Sequence, residues 1–325
     1  MTPDRRTLFA GSATIAAAMA LPAAAQQAAA PAPAAAGQAP GFYKFKVGGL
    51  TVTTVHDGIA RRPVEGFVRN APLADVQAVL AESFLPTDSF TIPFTLTVVD
   101  TGRHLVVFDS GNGVPAAGAT NGRAIENLRA AGIDRDRVNV VAMSHFHGDH
   151  IGGLLNAEGG RAFPNAEVMV PETEWRWWTD EGNQSRSPES QRATFANTAR
   201  RFAPYQGKVR QIAEGTEIVP GIRSVSIFGH TPGHTGYHIA DGDAQMMYLA
   251  DITNRPELLA RRPDFHAAFD FDPEVAEASR RRMFDRVVSD RVRVTGYHFP
   301  FPANGFMTKD GAGYRFVPAD WSSAV

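Results

Sequence analysis

Ser144-His145-Phe146-His147-Gly148-Asp149-His150-Ile151-Gly152-Gly153 places four metal-ligand side chains within six residues, directly after a short apolar run from Val138 to Met143. A tight loop leaving a buried strand can splay alternate side chains, so His145 and His147 face one ion while Asp149 and His150 turn toward a second. Two adjacent glycines then let the backbone leave the crowded site. Three further ligand-type residues fall at the ends of predicted strands. They are His234 in Gly229-His230-Thr231-Pro232-Gly233-His234-Thr235, Asp251 in Tyr248-Leu249-Ala250-Asp251, and His298 in Gly296-Tyr297-His298-Phe299-Pro300. Cysteine is absent, which removes thiolate ligands, disulfides and cysteine nucleophiles and leaves His, Asp and Glu as the strong metal ligands.

Outward from the loop, the pattern alternates strands and helices. Phe42 to Val55 is β-branched and alternating, broken by Gly48-Gly49, which signals a hairpin. Strands are predicted at Phe94 to Val99 and His104 to Phe108, turned at Thr101-Gly102, and a helix is marked by Ala124, Ile125, Leu128 and Ala131. Residues 171–203 are polar with scattered aromatics and read as helical. Strands follow at 209–212, 217–228, 236–240 and 245–250, then a helix through Met283, Phe284, Val287 and Val288 and a strand from Val292 to Tyr297. Two halves, each opening with strands and closing with a helix and a strand, imply two packed sheets covered by helices. Residues 59–92 fit this alternation poorly and are expected to form an arm or lid.

With 32 Lys+Arg against 34 Asp+Glu among 325 residues, the chain has no basic excess for tracking a phosphate backbone, so nucleic acid is not an expected partner. Residues 1–25 read as a Tat-type signal peptide: Asp4-Arg5-Arg6-Thr7-Leu8-Phe9 precedes a mildly apolar stretch and a small-residue site at Ala23-Ala24-Ala25. The apolar stretch is shorter than the roughly 18 residues a spanning helix needs, so no stable membrane anchor is expected after cleavage. Residues 26–40, rich in Ala, Pro and Gln, read as a flexible leader to one domain at 41–325. A periplasmic or secreted address follows. The runs Arg261-Arg262 and Arg280-Arg281-Arg282 read as solvated faces.

The seven-residue ligand set resembles the metallo-β-lactamase fold superfamily, an αββα sandwich whose dinuclear hydrolases carry His-x-His-x-Asp-His, then a His, a bridging Asp and a final His. By position, the resemblance implies that His145, His147 and His234 bind one divalent ion, that Asp149, His150 and His298 bind a second, and that Asp251 bridges them. His230, four residues before His234, reads as structural or as support for a ligand. Two zinc ions are implied, with cobalt, manganese or iron as alternatives. Such a pair can hold a hydroxide whose pKa is lowered to about 7, a nucleophile that needs no serine or cysteine. The residues given catalytic roles are Asp149 and Asp251, the leaving oxygen being either stabilised by the second ion or protonated through Asp149.

Within the superfamily the chain resembles the methyl parathion hydrolase group, through Gly313-Tyr314-Arg315-Phe316-Val317-Pro318 and the prolines after His298, and less closely the N-acyl homoserine lactone lactonases. The lactonases place a Tyr three residues after the bridging Asp, where this chain has Asn254. The implied substrate is a small neutral ester: an organophosphate triester, an aryl ester or a lactone. Trp178 and Phe195 fall in the region that lines the pocket in methyl parathion hydrolase, although Trp175, Trp177 and Trp178 also suit the packing of a helix. The competing readings are a periplasmic metal-binding module without turnover and a mononuclear iron dioxygenase of the same fold. A homodimer is compatible with the sequence.

Overall fold

The computed structural model describes residues 40–325. The signal peptide and leader expected at 1–25 and 26–40 lie, apart from Pro40, outside the described residues. The first sheet runs β1 (Phe42–Val47), β2 (Leu50–Pro63), β3 (Ser89–Asp100), β4 (Leu105–Phe108), β5 (Val140–Ala142), β6 (Glu167–Pro171) and β7 (Val209–Ile212), in that spatial order. The second runs β8 (Glu217–Val219), β9 (Ile222–Ser226), β10 (Thr235–Asp241), β11 (Ala244–Tyr248), β12 (Arg293–Thr295), β13 (Asn304–Asp310) and β14 (Gly313–Pro318), also in sequence order. Both sheets are mixed. β1 to β4 pair antiparallel and β4 to β7 parallel, while β11 and β12 are the parallel pair of the second sheet.

The period of two along each strand divides the apolar residues into layers. Val106, Phe108, Val140 and Ala142 of the first sheet face Ile222, Tyr237, Ile239, Met246 and Tyr248 of the second across the central core. Their strand neighbours Val107 and Val141 point the other way, into a cluster shared with α1 (Leu73–Glu82), α2 (Ala124–Ala130) and α6 (Glu189–Phe202). Met247 and Val294 turn outward onto Met283, Phe284 and Val287 of the long helix α7 (Pro273–Ser289). Helix, sheet, sheet, helix is the predicted αββα order.

The alternation predicts most of these elements, with three departures. The strand β6 and the terminal hairpin β13–β14 escape the sequence reading. The polar stretch is three helices, α4 (Glu172–Thr179), α5 (Glu181–Arg186) and α6 (Glu189–Phe202), and the last long helix α7 (Pro273–Ser289) begins ten residues before its apolar signal. Residues 59–92 are not a separate lid. β2 and β3 extend as a ribbon whose register runs from Thr51↔Asp100 to Pro63↔Ser89. The ribbon's tip and α1 bury Val64, Phe67, Val76 and Leu80 in the helical layer, and backbone hydrogen bonds join Arg69 to His266 and Ala268 to Phe67.

The ligand loop leaves β5 and enters α3 (Gly148–Ile151), a single turn whose carbonyl at His147 accepts from the N–H groups of His150 and Ile151. At Gly152 and Gly153 the chain passes against the loop after β4. A Cβ on Gly153 would collide with the Ser110 carbonyl oxygen, and one on Gly152 with that of Asn112. The replacement Gly153→Ala should therefore cost about 1 to 3 kcal/mol through overpacking. An unchanged thermal midpoint in that variant would contradict this close approach.

Candidate metal centre

The loops that follow β4, β5, β9, β11 and β12 meet at one edge of the sandwich. Two groups of ligand atoms, each within 4.8 Å of one another, converge there: His145, His147, His230 and Asp251, and Asp149, His150, Asp251 and His298. Asp251 belongs to both. Its Oδ2 lies 2.9 Å from His298 Nε2 and 3.3 Å from His230 Nε2, and its Oδ1 lies 3.1 Å from His150 Nε2. In the first group His147 Nδ1 is 3.0 Å from both His145 Nε2 and His230 Nε2.

Four of the five converging imidazoles are turned by a bond at the other nitrogen. His150 Nδ1–H donates to Asp109 at 2.9 Å, His230 Nδ1–H to Asp270 at 2.9 Å, and His298 Nδ1–H to the Pro93 carbonyl at 2.8 Å. His145 Nδ1–H donates to Ser144 Oγ at 2.9 Å, and that hydroxyl donates to Asp109. These bonds hold the Nε2 lone pairs toward the centre, as the supports of metal-binding histidines do. Asp109 sits in the left-handed region, φ 60°, a conformation Asp tolerates better than most residues. There it accepts four hydrogen bonds, from the Ser144 N–H and hydroxyl, the Tyr248 hydroxyl and His150.

One of the seven sequence-predicted ligands is placed differently. His234 lies one residue before β10, and its Nε2 accepts the Asp251 backbone N–H at 3.1 Å while Nδ1–H donates to the Ile227 carbonyl. Its lone pair is spent on backbone. His230, read from the sequence as structural or supporting, occupies the ligand position instead. The sequence offers two histidines four apart around Pro232-Gly233, and the turn between them decides which ring reaches Asp251.

Other supporting groups had no sequence signal. Glu174, fully buried on α4, accepts from Phe146 N–H and Trp178 Nε1–H on one oxygen, and from Thr231 Oγ–H and Gly233 N–H on the other. It ties the ligand loop to the turn that carries His230. Burial raises its pKa against these donors. Arg280 is buried rather than solvated: it pairs with Asp270 at 3.1 Å and donates to the carbonyls of Ile252, Pro263 and Phe265, so it anchors the carboxylate behind His230. Trp178 and Phe195 do not line the site. They pack edge to face, ring centres 4.8 Å apart, in the core beneath α4 and α6.

The centre opens into a cleft of about 340 Å³. Ala60, Ile92, Phe94 and Phe269 form its apolar side, Asn112, Asn121 and Asn254 its polar side, and Arg62 stands exposed at the mouth. The extended β2–β3 ribbon supplies Ala60, Arg62, Ile92 and Phe94, so residues 59–92 shape the cleft as a wall.

The donor set fits divalent ions. His150 Nε2 and Asp251 Oδ1 are buried without a hydrogen-bond partner, a costly state that a bound cation would relieve. Burial drives His147 down to about 3, so it is a neutral lone-pair donor at neutral pH. Burial likewise opposes charge on His230, but the bonds from Asp251 and Asp270 outweigh it and push that group up to about 9. For Asp149 burial favours the neutral acid, and the nearby His150 and His298 outweigh it and hold the carboxyl at about 2. Neutral imidazole and ionised carboxylate donors, with Asp251 shared between both groups, are the chemistry a divalent cation takes.

Fold and site define a four-layer α/β protein with a twin His/Asp centre at one edge of its sheets. The chain belongs to the metallo-beta-lactamase superfamily, whose family model matches residues 95–292, more than half of its length. It is 25% identical over 171 residues to the N-acyl homoserine lactonase AiiA of Bacillus thuringiensis subsp. kurstaki, an alignment covering 52% of this chain and 59% of that protein. Among solved structures it is similar in fold to AidC, a dizinc quorum-quenching lactonase solved with the product N-hexanoyl-L-homoserine, at 24% identity and a TM-score of 0.81 over 87% of this chain and 99% of that one. The hydrolase AbOPH of the beta-lactamase superfamily matches with 24% identity and a TM-score of 0.82, over 88% of this chain and all of that one.

His230→Ala should bind about one ion fewer per chain by elemental analysis, whereas His234→Ala should keep the ion count and lose about 1 to 3 kcal/mol of stability through the unpaired Asp251 N–H. The reverse result would return His234 to the ligand set. Asp57, buried behind Asn112, accepts from Asn112 N–H and Nδ2–H and from Ala124 N–H, yet burial still pushes its carboxyl up to about 6. Because the folded state binds this proton more tightly, the stabilisation is complete below about pH 4 and is lost as pH rises through 6, about 3 kcal/mol in all. In Asp57→Asn that slope should vanish from unfolding free energies measured between pH 4 and 7.

Proposed function

We propose that the chain is a dinuclear metal-dependent hydrolase of small neutral esters, with lactones as its preferred class. The observation that carries this reading is the twin ligand group sharing Asp251 at the floor of a half-apolar cleft. Two divalent ions, zinc by preference, would be held by His145, His147, His230 and Asp251 and by Asp149, His150, Asp251 and His298, supplying Lewis acidity and water made nucleophilic at neutral pH.

The chain's own groups do the rest. Asp251, anchored through its N–H by His234, holds both ligand groups in one geometry. Asp149 is ionised at neutral pH, and its side chain, 24% exposed, reaches the cleft. Its carboxylate takes the proton released on attack and returns it to the leaving oxygen. Ile92, Phe94 and Phe269 cover an acyl or aryl group and exclude water from it.

Support for lactones comes from the similarity to the lactonases AiiA and AidC. A second reading, hydrolysis of aryl phosphotriesters, rests on the aromatic side of the cleft, Phe94 and Phe269, which suits a flat phenol leaving group. Export to the periplasm belongs to the same proposal and rests on the twin-arginine sequence alone.

Chelation should abolish turnover and two equivalents of zinc or cobalt should restore it, while Asp251→Asn should lower bound metal and kcat together. The decisive comparison is kcat/KM for N-hexanoyl-L-homoserine lactone against that for methyl parathion. A preference for the lactone is expected, a preference for the phosphotriester moves the assignment to the second reading, and metal-replete protein inactive on both and on simple aryl esters would refute the hydrolase.

A further inference from the structure

Asp149, His150 and His298 belong to the second ligand group alone, since Asp251 serves both. One further side chain touches all three. Tyr297, fully buried, donates its hydroxyl to the Asp149 backbone carbonyl at 2.7 Å and lays its ring against the His150 imidazole, centres 4.0 Å and planes 38° apart. It also precedes His298 in the chain, with the two ring centres 5.1 Å apart. Among the described residues it makes no hydrogen bond or ring pair with His145, His147 or His230.

The hydroxyl fills a place that the single turn of α3 leaves open. In a continuous helix the Asp149 carbonyl would accept the N–H four residues on. Here the Gly153 N–H turns instead to the Gly111 carbonyl at 2.8 Å, where the chain passes against the loop after β4. The neighbouring His150 carbonyl is taken by the Ser110 N–H and hydroxyl. Tyr297 is itself fixed from two sides: its N–H donates to the carbonyl of Ala250, next to Asp251, at 3.1 Å, and its carbonyl accepts the Thr95 N–H of β3 at 2.9 Å. A residue held by backbone bonds in both halves of the fold thus grips the turn that aims Asp149 and His150, and buried support of this kind orients metal ligands.

We infer that Tyr297 is the positioning residue of the second metal place, its hydroxyl fixing the turn that carries Asp149 and its ring fixing the plane of His150. The inference rests on the dinuclear reading above and deepens it, because it makes the affinity for one ion separable from the affinity for the other. His145 and His230 are turned by Ser144 and Asp270, contacts that Tyr297 does not share. Tyr297 is absent from the cleft lining, so it acts through the ligands and not on the substrate.

The test titrates chelator-stripped full-length protein with cobalt(II) and resolves the two binding steps by calorimetry, in wild type, Y297F and Y237F. Tyr237 is a matched control: its hydroxyl, on an equally buried side chain, donates to the Met143 carbonyl at 2.7 Å and bonds to no ligand. Y297F should weaken one binding step about 10- to 100-fold and leave the other within about twofold. Its turnover of N-hexanoyl-L-homoserine lactone should fall at two equivalents of cobalt and recover in a large excess. Y237F should leave both steps unchanged. In the D149A background, which lacks a ligand of the second group, adding Y297F should leave the affinity for the remaining ion unchanged. If Y297F does not fold, Y297M carries the same comparison. A folded hydroxyl-free variant that binds both ions as wild type does, weakens both steps equally, or is matched in its loss by Y237F overturns the inference and leaves the hydrolase standing. Wild-type protein that takes up fewer than two ions overturns both together.

Discussion

A buried group of imidazoles and carboxylates can keep its lone pairs free only if its other polar atoms are bonded elsewhere, and this requirement organises the edge of the sandwich. Asp109 accepts four hydrogen bonds so that His145 and His150 present Nε2 to the centre. Asp270, held by buried Arg280, does the same for His230, and the Pro93 carbonyl does it for His298. Removing one of these acceptors would leave a buried donor unpaired as well as a ligand free to rotate.

The layered topology brings these parts together. Both sheets are laid down in sequence order, so the loop after β4 that carries Asp109 and the ligand loop after β5 belong to the first half of the chain, and the ligand loops after β9, β11 and β12 to the second. The halves meet across a core of alternating side chains such as Phe108 against Tyr237 and Tyr248. Glu174 adds a direct tie, with the ligand loop on one carboxylate oxygen and the His230 turn on the other. The geometry of the centre therefore depends on the packing of the two sheets as well as on any one loop.

The cleft has a different origin from the centre. Its apolar wall comes from the β2–β3 ribbon, whose tip packs on the segment around His266. Its polar side comes from loops whose asparagines are mostly committed to one another. A rigid ligand centre with a wall built by an extension is an arrangement in which substrate choice can change without disturbing the metal ligands.

Much of this was readable along the chain. Four ligand-type side chains in six residues after an apolar strand, with His, Asp and His at later strand ends, point to the αββα fold and to seven of the eight ligand places of the twin centre, counting Asp251 once for each group, because ligand spacing and strand periodicity are local properties. Asp251, read as the bridge, lies in both groups. The choice of His230 over His234 was not readable, since both share one short segment and only the turn at Pro232-Gly233 and the Asp251 N–H settle which ring has a free lone pair. Nor was the place of Trp178 and Phe195 in the core, the burial of Arg280, or the work of Glu174. An isolated Glu or Arg looks the same in sequence whether it faces water or closes a buried network. Sequence alone determined which chemistry the chain can carry, because that depends on residue type and spacing. Tertiary structure decided which atoms carry it, because a lone pair is available only where packing leaves it unbonded.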